Sequence, residues 1–399
     1  MSKLVFNYHA LFEHVKEPKE KIKELAEGIQ KKIGGDVKIS DNDLNAVITS
    51  EESIISLRYE QENKFLFLEM LNIKKNIADE IIKNISNSVN GELARVFNIP
   101  KTKEEFIALD PNSWFFEAYE METRGVTLAI KGKKLFSQRS PFQLVDVYQT
   151  VGFGKMLALD KMVMLTDADE FSYHEMITHP ALHVHQKPEN VLVIGGGDGG
   201  SVREILKHED VKEVHLCEID KMVIDVSLKY FPNISSKLKD PKLKIFYEDG
   251  FSFLENKKAK YDIIIVDSTD PVGPGVTLFT EEFYKRCFDA LKEDGILITQ
   301  CESFFFHTKF IAETLEKLRK FFPKVWYYYT QTPTYPSGCY GFSFCSKKYH
   351  PIKDVKEKKL LEPVKYYNKN HHKAAFMLPT FALDAFYAGC EDQKKELEL

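Results

Sequence analysis

Residues 191–206 read VLVIGGGDGGSVREIL, and this stretch decides the fold. An apolar run leads into five glycines that surround a single aspartate, Asp198, and helix-forming residues follow. Glycine permits both a tight turn and a close approach of the backbone to a ligand. The stretch therefore predicts a strand, a ligand-binding turn that contains Gly195 and Gly197, and a helix.

The segments that follow extend this unit into a domain. From residue 171 onward, apolar runs such as EVHLCEID, YDIIIVDS and GILITQ alternate with helical patterns. That alternation predicts an α/β domain over residues 171–399, built on a Rossmann-like, doubly wound parallel sheet as in methyltransferases.

Two regions with a different pattern precede this domain. Residues 113–170 contain strand-like runs separated by turn residues (TRGVTLAIK, KKLFSQRS, FQLVDVYQT and KMLALDKMVMLT), which predict a small antiparallel β-domain. Residues 1–112 combine a helical pattern with short β-rich runs. We therefore expect an α+β domain there, followed by the linker GELARVFNIPKTKEEFIALDPNS.

Composition narrows the class of protein. The chain has 399 residues, 43% of them hydrophobic, a net charge of -5 and six cysteines. Nucleic-acid-binding proteins are usually basic, so that class is disfavoured. No apolar run approaches the ~20 residues that span a bilayer, the N-terminus lacks a signal-peptide core, and the cysteine spacings match no zinc template. We expect a cytoplasmic protein with no membrane or nucleic-acid partner and no metal.

Acidic residues at the ends of two strand-like runs predict a nucleoside site. Glu218 lies 20 residues after Asp198, where an acid commonly binds ribose hydroxyls, and Asp249 with Gly250 could meet adenine. Nicotinamide enzymes and S-adenosylmethionine enzymes share these features. Asp198 would repel a pyrophosphate in the turn, so it favours a cationic ligand such as a sulfonium that carries an amine.

A second acidic set follows the apolar run YDIIIV. Asp267 and Asp270 should lie at the carboxyl edge of the sheet, where ligands bind in such folds. Tyr173 and His174 in DEFSYHEM, and Tyr335 in TYPSG, are candidates for the same site. Carboxylates interspersed with tyrosines suit a slim polyamine, because they pair with its ammonium ends and line its methylenes.

From about Trp114 to Phe381 the chain resembles the spermidine synthases, which are aminopropyltransferases. The matching motifs include NSWFFE, DEFSYHEM, the glycine-rich stretch, CEID, EDG, DSTDP, LFTEEFY and TYPSG. The resemblance implies that decarboxylated S-adenosylmethionine is a co-substrate, with no prosthetic group. It further implies that putrescine or a related polyamine accepts the aminopropyl group, and that spermidine and methylthioadenosine are the products.

The same resemblance implies the role of each site residue. Asp267 would be the base that takes a proton from the attacking amine, with help from Tyr173. The donor would be bound by the glycine turn and by Gln143, Asp198, Glu218, Asp249 and Gly250. The acceptor would be bound by Tyr173, His174, Asp270, Tyr335 and Gln300.

Three other functions stay open at this point. One is a spermine- or thermospermine-type synthase that uses a longer acceptor. Another is a polyamine N-methyltransferase, against which Asp198 and the intact DSTDP and TYPSG motifs argue. The third is a non-catalytic partner built on an inactive fold, which the complete acidic set argues against.

The N-terminal region resembles the core strands of bacterial S-adenosylmethionine decarboxylases. Those enzymes cleave themselves at a Glu-Ser-His sequence, whereas this chain has Glu51, Glu52, Ser53 and Ile54 in the corresponding stretch. The resemblance implies an inactive domain that mediates assembly, so we expect a homodimer or a dimer of dimers.

Overall fold

The computed structural model describes residues 6–13, 18–39, 45–50, 54–60, 65–73, 80–81, 114–271 and 273–397. The predicted linker and the stretch from Glu51 to Ser53 lie outside these residues. The chain divides into two compact units, Met1–Trp114 and Phe115–Leu399, and each is described by itself.

The described part of the N-terminal unit contains an antiparallel sheet with helix α1 packed on it. The sheet order is β1-β5-β4-β3-β2, and helix α1 lies against β2, β3 and β4. Ile22, Leu25, Ala26 and Ile29 recur at helical spacing along α1 and are buried. The elements are β1 (Phe6–Glu13), α1 (Pro18–Ile33), β2 (Asp36–Ile39), β3 (Asn45–Thr49), β4 (Ile54–Glu60) and β5 (Phe65–Ile73).

The second unit opens with a five-stranded antiparallel meander, ordered β10-β9-β8-β7-β6. Its elements are β6 (Trp114–Phe116), α2 (Tyr119–Arg124), β7 (Ala129–Arg139), β8 (Leu144–Thr150), β9 (Lys155–Leu159) and β10 (Met162–Thr166). The prediction of two separate strands, TRGVTLAIK and KKLFSQRS, is wrong. The first two residues of TRGVTLAIK, Thr123 and Arg124, end α2, which stops at the left-handed Gly125 (φ +70°). A single strand, β7, covers Ala129–Arg139 across the two runs.

A seven-stranded sheet forms the centre of the second unit, with the order β13-β12-β11-β14-β15-β17-β16. Its strands are β11 (Asn190–Gly195), β12 (Glu213–Cys217), β13 (Leu243–Phe246), β14 (Tyr261–Asp267), β15 (Leu291–Gln300), β16 (Lys324–Gln331) and β17 (Cys339–Ser346). The order reverses between β11 and β14, whose carboxyl ends lie side by side with Gly195 opposite Asp267. Such a reversal is where open α/β sheets bind ligands.

Helices pack against this sheet, and strands β11, β12, β14 and β17 are mostly buried, whereas the edge strand β13 is partly exposed. The α-helices are α3 (Glu170–Val184), α4 (Gly200–Ile205), α5 (Lys221–Tyr230), α6 (Gly250–Phe253), α7 (Glu281–Ala290), α8 (Thr308–Arg319), α9 (Lys369–Ala375), α10 (Thr380–Phe386) and α11 (Glu391–Lys395). Residues Ser235–Lys237 and Gly273–Phe279 form 3₁₀-helices. The Rossmann-like α/β class predicted from the sequence is confirmed.

The expectation of an entirely parallel sheet needs one correction. Strands β13, β12, β11, β14 and β15 are parallel, but β17 runs antiparallel to β15 and pairs with β16 as a hairpin. A hairpin needs only a short connection, whereas a parallel pair needs a crossover. The hairpin loop, which contains Tyr335, therefore lies at the carboxyl edge of the parallel strands, beside the ends of β14 and β15.

Candidate active site

The glycine-rich turn lies directly against the end of β14. Gly195 has φ +78°, and a Cβ on it would overlap the carbonyl oxygen of Asp267. Only glycine combines this left-handed backbone with so close an approach. The turn residues Gly195, Gly196 and Gly197 consequently line one pocket together with Asp267.

The predicted nucleoside-binding residues line the same pocket. Both Glu218 oxygens accept backbone N–H groups, from Gly197 at 3.1 Å and from Asp220 at 2.8 Å. Burial raises the pKa of Glu218 to about 7. Gln143 donates to the Asp220 carboxylate at 3.0 Å, and that carboxylate caps α5.

Asp249 completes this side of the pocket. Its carboxylate caps α6 by accepting from the backbone N–H of Ser252 at 2.9 Å, and Gly250 begins the helix. Sequence alone placed Asp249 after a strand, and its capping geometry now fixes the direction of the side chain.

Asp198 faces a buried imidazole. Its Oδ1 lies 3.1 Å from Nε2 of His174 and accepts from the backbone N–H of Gly200 at 2.7 Å. Burial opposes ionisation of Asp198, but the His174 charge and these hydrogen bonds outweigh it, so the pKa lies below its ordinary value. The result is an ionised carboxylate in the glycine turn.

Asp267 is held by hydrogen bonds to both of its oxygens. Tyr173 donates to Oδ1 at 2.9 Å, and Ser201 donates to Oδ2 at 2.6 Å. Burial and the neighbouring charge of Asp198 raise the pKa of Asp267, against the opposing effect of His174. A carboxylate with a raised pKa in a fixed orientation is suited to accept a proton.

A second acidic pocket adjoins the first. Tyr173, Met164, Ser268, Thr269 and Tyr335 line both pockets. The additional acidic residues of the second pocket are Glu117, Glu120, Asp270 and Glu302.

Two carboxyl groups of the second pocket interact with each other. Tyr340 donates to Asp270 at 2.8 Å. Burial, together with the charge of Asp270, raises the pKa of Glu302 well above its ordinary value, and burial raises the pKa of Asp270. The hydrogen bond between the two side chains raises the pKa of Glu302 and lowers that of Asp270, so Glu302 holds the proton of the pair, and an arriving ammonium group would replace that proton.

Most of the residues predicted from the sequence meet in these two pockets. Asp270 lines the second pocket, and Gln300 lines neither one. Gln300 lies behind Tyr340, which contacts its side chain, and it donates to the carbonyl of Thr269 at 2.9 Å. The other eleven line the first pocket: Gln143, Tyr173, His174, Gly195, Gly197, Asp198, Glu218, Asp249, Gly250, Asp267 and Tyr335.

Sequence reasoning missed four residues of the site. Glu117, Glu302 and Tyr340 line the acidic pocket, and Ser201 holds Asp267. Glu117 belongs to the NSWFFE motif, Ser201 to the glycine-rich stretch, and Glu302 follows β15 at the ligand-binding edge. The position of Glu302 was the signal available, because strands that end beside β14 deliver their next residues to the same edge.

One group of potential metal ligands lies in the site. His174, Asp198 and Asp267 bring one ligand atom each within 4.8 Å of one another. His174 is already paired with Asp198 and Glu170, and Asp267 with Tyr173 and Ser201. These hydrogen bonds account for the arrangement, so the geometry assigns the three side chains to proton and cation chemistry.

A doubly wound sheet with a glycine-lined pocket and an adjoining acidic pocket at its carboxyl edge defines a Rossmann-like transferase. Residues 170–359 match the spermine/spermidine synthase domain, and residues 113–167 match the spermidine synthase tetramerisation domain. The chain belongs to the spermine/spermidine synthase family.

Curated relatives support this assignment. The chain is 49% identical over 271 residues to the polyamine aminopropyltransferase of Leptospira biflexa, covering 67% of this chain and 96% of that protein. It is 49% identical over 277 residues to the enzyme of the same name from Alkaliphilus metalliredigens, covering 68% of this chain and 97% of that protein.

Solved structures are similar as well. A spermidine synthase in complex with the transition-state analogue AdoDATO has a TM-score of 0.66 at 40% identity, covering 68% of this chain and 94% of that one. Spermidine synthase from Thermotoga maritima has a TM-score of 0.64 at 38% identity, with the same coverage. Among the described residues, no helix is both long and apolar enough to cross a membrane.

Proposed function

We propose that this aminopropyltransferase moves the aminopropyl group of decarboxylated S-adenosylmethionine to putrescine, releasing spermidine and methylthioadenosine. The observation that carries the proposal is the junction of the two pockets. Tyr173 lines both of them and donates to Asp267, whose pKa is raised by burial. A donor in the first pocket and an amine in the second would therefore meet beside a base.

The first pocket would hold the donor. Glu218 can accept from ribose hydroxyls, and Asp249 and Gln143 can contact the base. Asp198 would pair with the ammonium of the aminopropyl group, because its carboxylate is ionised and buried beside the glycine turn. The sulfonium already activates the carbon that is transferred, so the protein supplies alignment and a proton acceptor.

The second pocket would hold the acceptor. A diamine needs one neutral nitrogen with a free lone pair and one charged end. Asp267 would accept a proton from the first nitrogen, since an amine of this kind has a pKa near 10. Asp270 and Glu302 would bind the other end, and the rings of Tyr335 and Tyr340 would line the methylenes.

The test is an assay of the full chain with each donor and a panel of amines. Decarboxylated S-adenosylmethionine with putrescine should yield spermidine and methylthioadenosine by mass spectrometry. Cadaverine, agmatine and spermidine as acceptors measure how far the second pocket tolerates length. Faster turnover with spermidine would indicate the spermine-type alternative. Release of S-adenosylhomocysteine from ordinary S-adenosylmethionine would indicate a methyltransferase and contradict the proposal.

We also propose that the chain assembles into a homodimer or a dimer of dimers. Residues 113–167 match a domain family named for tetramerisation. The described part of the N-terminal unit has an antiparallel sheet with helix α1 packed on it, which suits an added assembly domain. All six cysteines are free thiols, five of them buried, in keeping with a cytoplasmic protein.

A further inference from the structure

A chain of charged side chains lies behind Asp198, on the side away from the glycine turn. His174 on α3 donates from Nδ1 to Glu170, one turn earlier, at 2.6 Å. Arg203 on α4 donates to both oxygens of Glu170, at 2.8 and 3.0 Å. Asp198, His174, Glu170 and Arg203 thus form a continuous series of ion pairs.

Burial makes each of these contacts matter. The side chains of His174 and Glu170 are 3% and 7% exposed, and that of Arg203 is 12% exposed. Solvent-exposed ion pairs contribute little to folding stability, but a buried charge that loses its partner destabilises the fold strongly. The fork of Arg203 holds Glu170 in one orientation, because a bidentate pair fixes both oxygens.

The packing leaves the imidazole little room to move. Gly200 begins α4 beside the ring of His174, and a Cβ on Gly200 would overlap that ring. The backbone N–H of Gly200 donates to the same Asp198 oxygen that the imidazole contacts. The start of α4 therefore clamps both members of the His174–Asp198 pair.

We infer that Glu170 and Arg203 are positioning residues: they hold His174 as an imidazolium, which keeps Asp198 ionised and correctly oriented for the donor's ammonium group. The inference rests on the proposed function, because Asp198 is the donor's partner only if that function is correct. Neither residue contacts the first pocket, whose lining includes His174 and Asp198 but not Glu170 or Arg203.

The charges that face His174 agree with this role. Glu170 lies on its own helix and Asp198 on the turn, both next to the ring, while Arg203 on α4 faces it through Glu170. Asp267 at the end of β14 is the remaining acidic neighbour, and its pKa responds to the His174 charge. Burial alone would lower the pKa of His174, but Asp198 and Glu170 raise it well above its ordinary value.

Without Glu170, two effects should follow together. His174 would lose its proton more easily, and the two close carboxylates, Asp198 and Asp267, would then share a proton instead of both remaining ionised. The donor's ammonium group would then pair with a partly protonated Asp198, so the attraction between them would be weaker. Acceptor binding in the second pocket should change little, because Glu170 does not line that pocket.

The experiment compares Glu170→Gln with the control Glu362→Gln. Glu362 also carries a carboxylate, and it lines a third cavity together with Glu170. Unlike Glu170, it pairs with Lys237 at the surface. Glu170→Gln should raise KM for decarboxylated S-adenosylmethionine about ten- to a hundredfold, a loss typical when the group that orients a ligand-binding side chain is removed. It should leave KM for putrescine within about twofold, and Glu170→Asp should restore part of the loss.

The pH profile gives the second readout. In Glu170→Gln the acidic limb of kcat/KM for the donor should move to higher pH, because Asp198 and Asp267 then bind a proton more readily. An unchanged donor KM and an unchanged acidic limb, in a variant that folds, would overturn the inference.

Direct titration keeps the inference testable if Glu170→Gln fails to fold. The His174 resonance of the wild-type chain, assigned by its absence in His174→Gln, should report an imidazolium above pH 7. Titration near the ordinary value of 6.5 would overturn the inference. A wild-type chain without aminopropyl transfer would refute the proposed function, and the titration would still decide whether His174 is held as an imidazolium.

Discussion

Three elements converge on Asp267, and this convergence gives the residue its properties. Strand β14 ends at it, α3 contributes Tyr173, and α4 contributes Ser201. The buried carboxylate has two donors and an acidic neighbour, so it is oriented and its pKa is raised. An exposed aspartate would share neither property, which is why residue type alone is a weak guide to catalysis.

Replacing this carboxylate tests the proposed base. Asp267→Asn should lower kcat by about 10²–10⁴, the usual loss for a removed general base, and should leave methylthioadenosine binding nearly unchanged. Turnover and product binding by calorimetry measure the two effects. Asp225→Asn is the matched control, since Asp225 is exposed and pairs with Lys221. Turnover near the wild-type value in Asp267→Asn would contradict the assignment.

At the scale of elements, the turn between β11 and α4 is the most constrained segment of the site. It must reverse direction, pass beside the Asp267 carbonyl and present N–H groups to Glu218 and Asp198. Side chains of other residues would collide at these points. The turn therefore depends on glycine for both conformation and space.

A pair of glycine substitutions separates these two demands. Gly195 and Gly389 both have positive φ, +78° and +73°, but a Cβ collides only at Gly195. Gly389→Ala should cost about 1 to 2 kcal/mol from backbone strain. Gly195→Ala should cost more and also reduce donor binding, because Asp267 must shift. Urea unfolding and donor KM measure both, and equal losses for the two variants would contradict the steric argument.

A second group of histidines lies around the far end of helix α3, remote from the pockets. His183 donates to the carbonyl of Lys356 at 2.9 Å and stacks on Tyr367. His372 is buried between Tyr367 and the carbonyl of Pro351. Burial lowers the pKa of both imidazoles to about 4, so they are neutral in the folded chain at pH 7.

These imidazoles predict acid sensitivity of the second unit. Each imidazole has a lower pKa in the folded chain than its unfolded value of 6.5. The free energy of unfolding is therefore fully retained above pH 6.5 and decreases as the pH falls toward 4. At pH 5 the loss should reach up to about 2 kcal/mol for each imidazole. Urea unfolding at pH 7 and pH 5 measures it. His183→Phe should lose less stability between these pH values than the wild type, and an equal loss would contradict the assignment.

At the scale of the whole molecule, the N-terminal unit precedes the matched family domains, which begin at residue 113. The relatives with 49% identity are covered almost fully by 67% to 68% of this chain, so about a third of this chain has no counterpart in those matches. That unit has its own sheet and its own buried helix face. We therefore assign it to assembly in the proposal above.

Removal of this unit tests the proposed role in assembly. A chain that begins at residue 111 should form an assembly with fewer subunits than the full chain, while its pockets, which are lined by residues from Glu117 onward, keep aminopropyl transfer. Analytical ultracentrifugation over a dilution series measures the mass. The full chain at the same concentrations is the control, and an unchanged number of subunits would contradict the proposal.

Local pattern was enough to predict the fold class and most of the site. The apolar run before Gly195, the acid at Glu218 and the acids after β14 are spaced along the chain as the strands deliver them to one edge. Eleven of the thirteen residues predicted for the site line the first pocket. Gly195, Glu218 and Asp267 do so for this reason, whereas Tyr173 and His174 reach the pocket from helix α3. Parallel strands end at a common edge, so the order of motifs in the sequence already implies their proximity.

Only the tertiary structure decided what depends on contacts between distant segments. It brought Tyr340 and Glu302 beside Asp270, put Gln300 behind them, and turned the last two strands antiparallel. It also set the ionisation of Asp198, Asp267 and Glu218, because burial and the distance between charges determine a pKa. The sequence by itself determined which side chains reach the edge of the sheet, and packing determined the charge that each carries there.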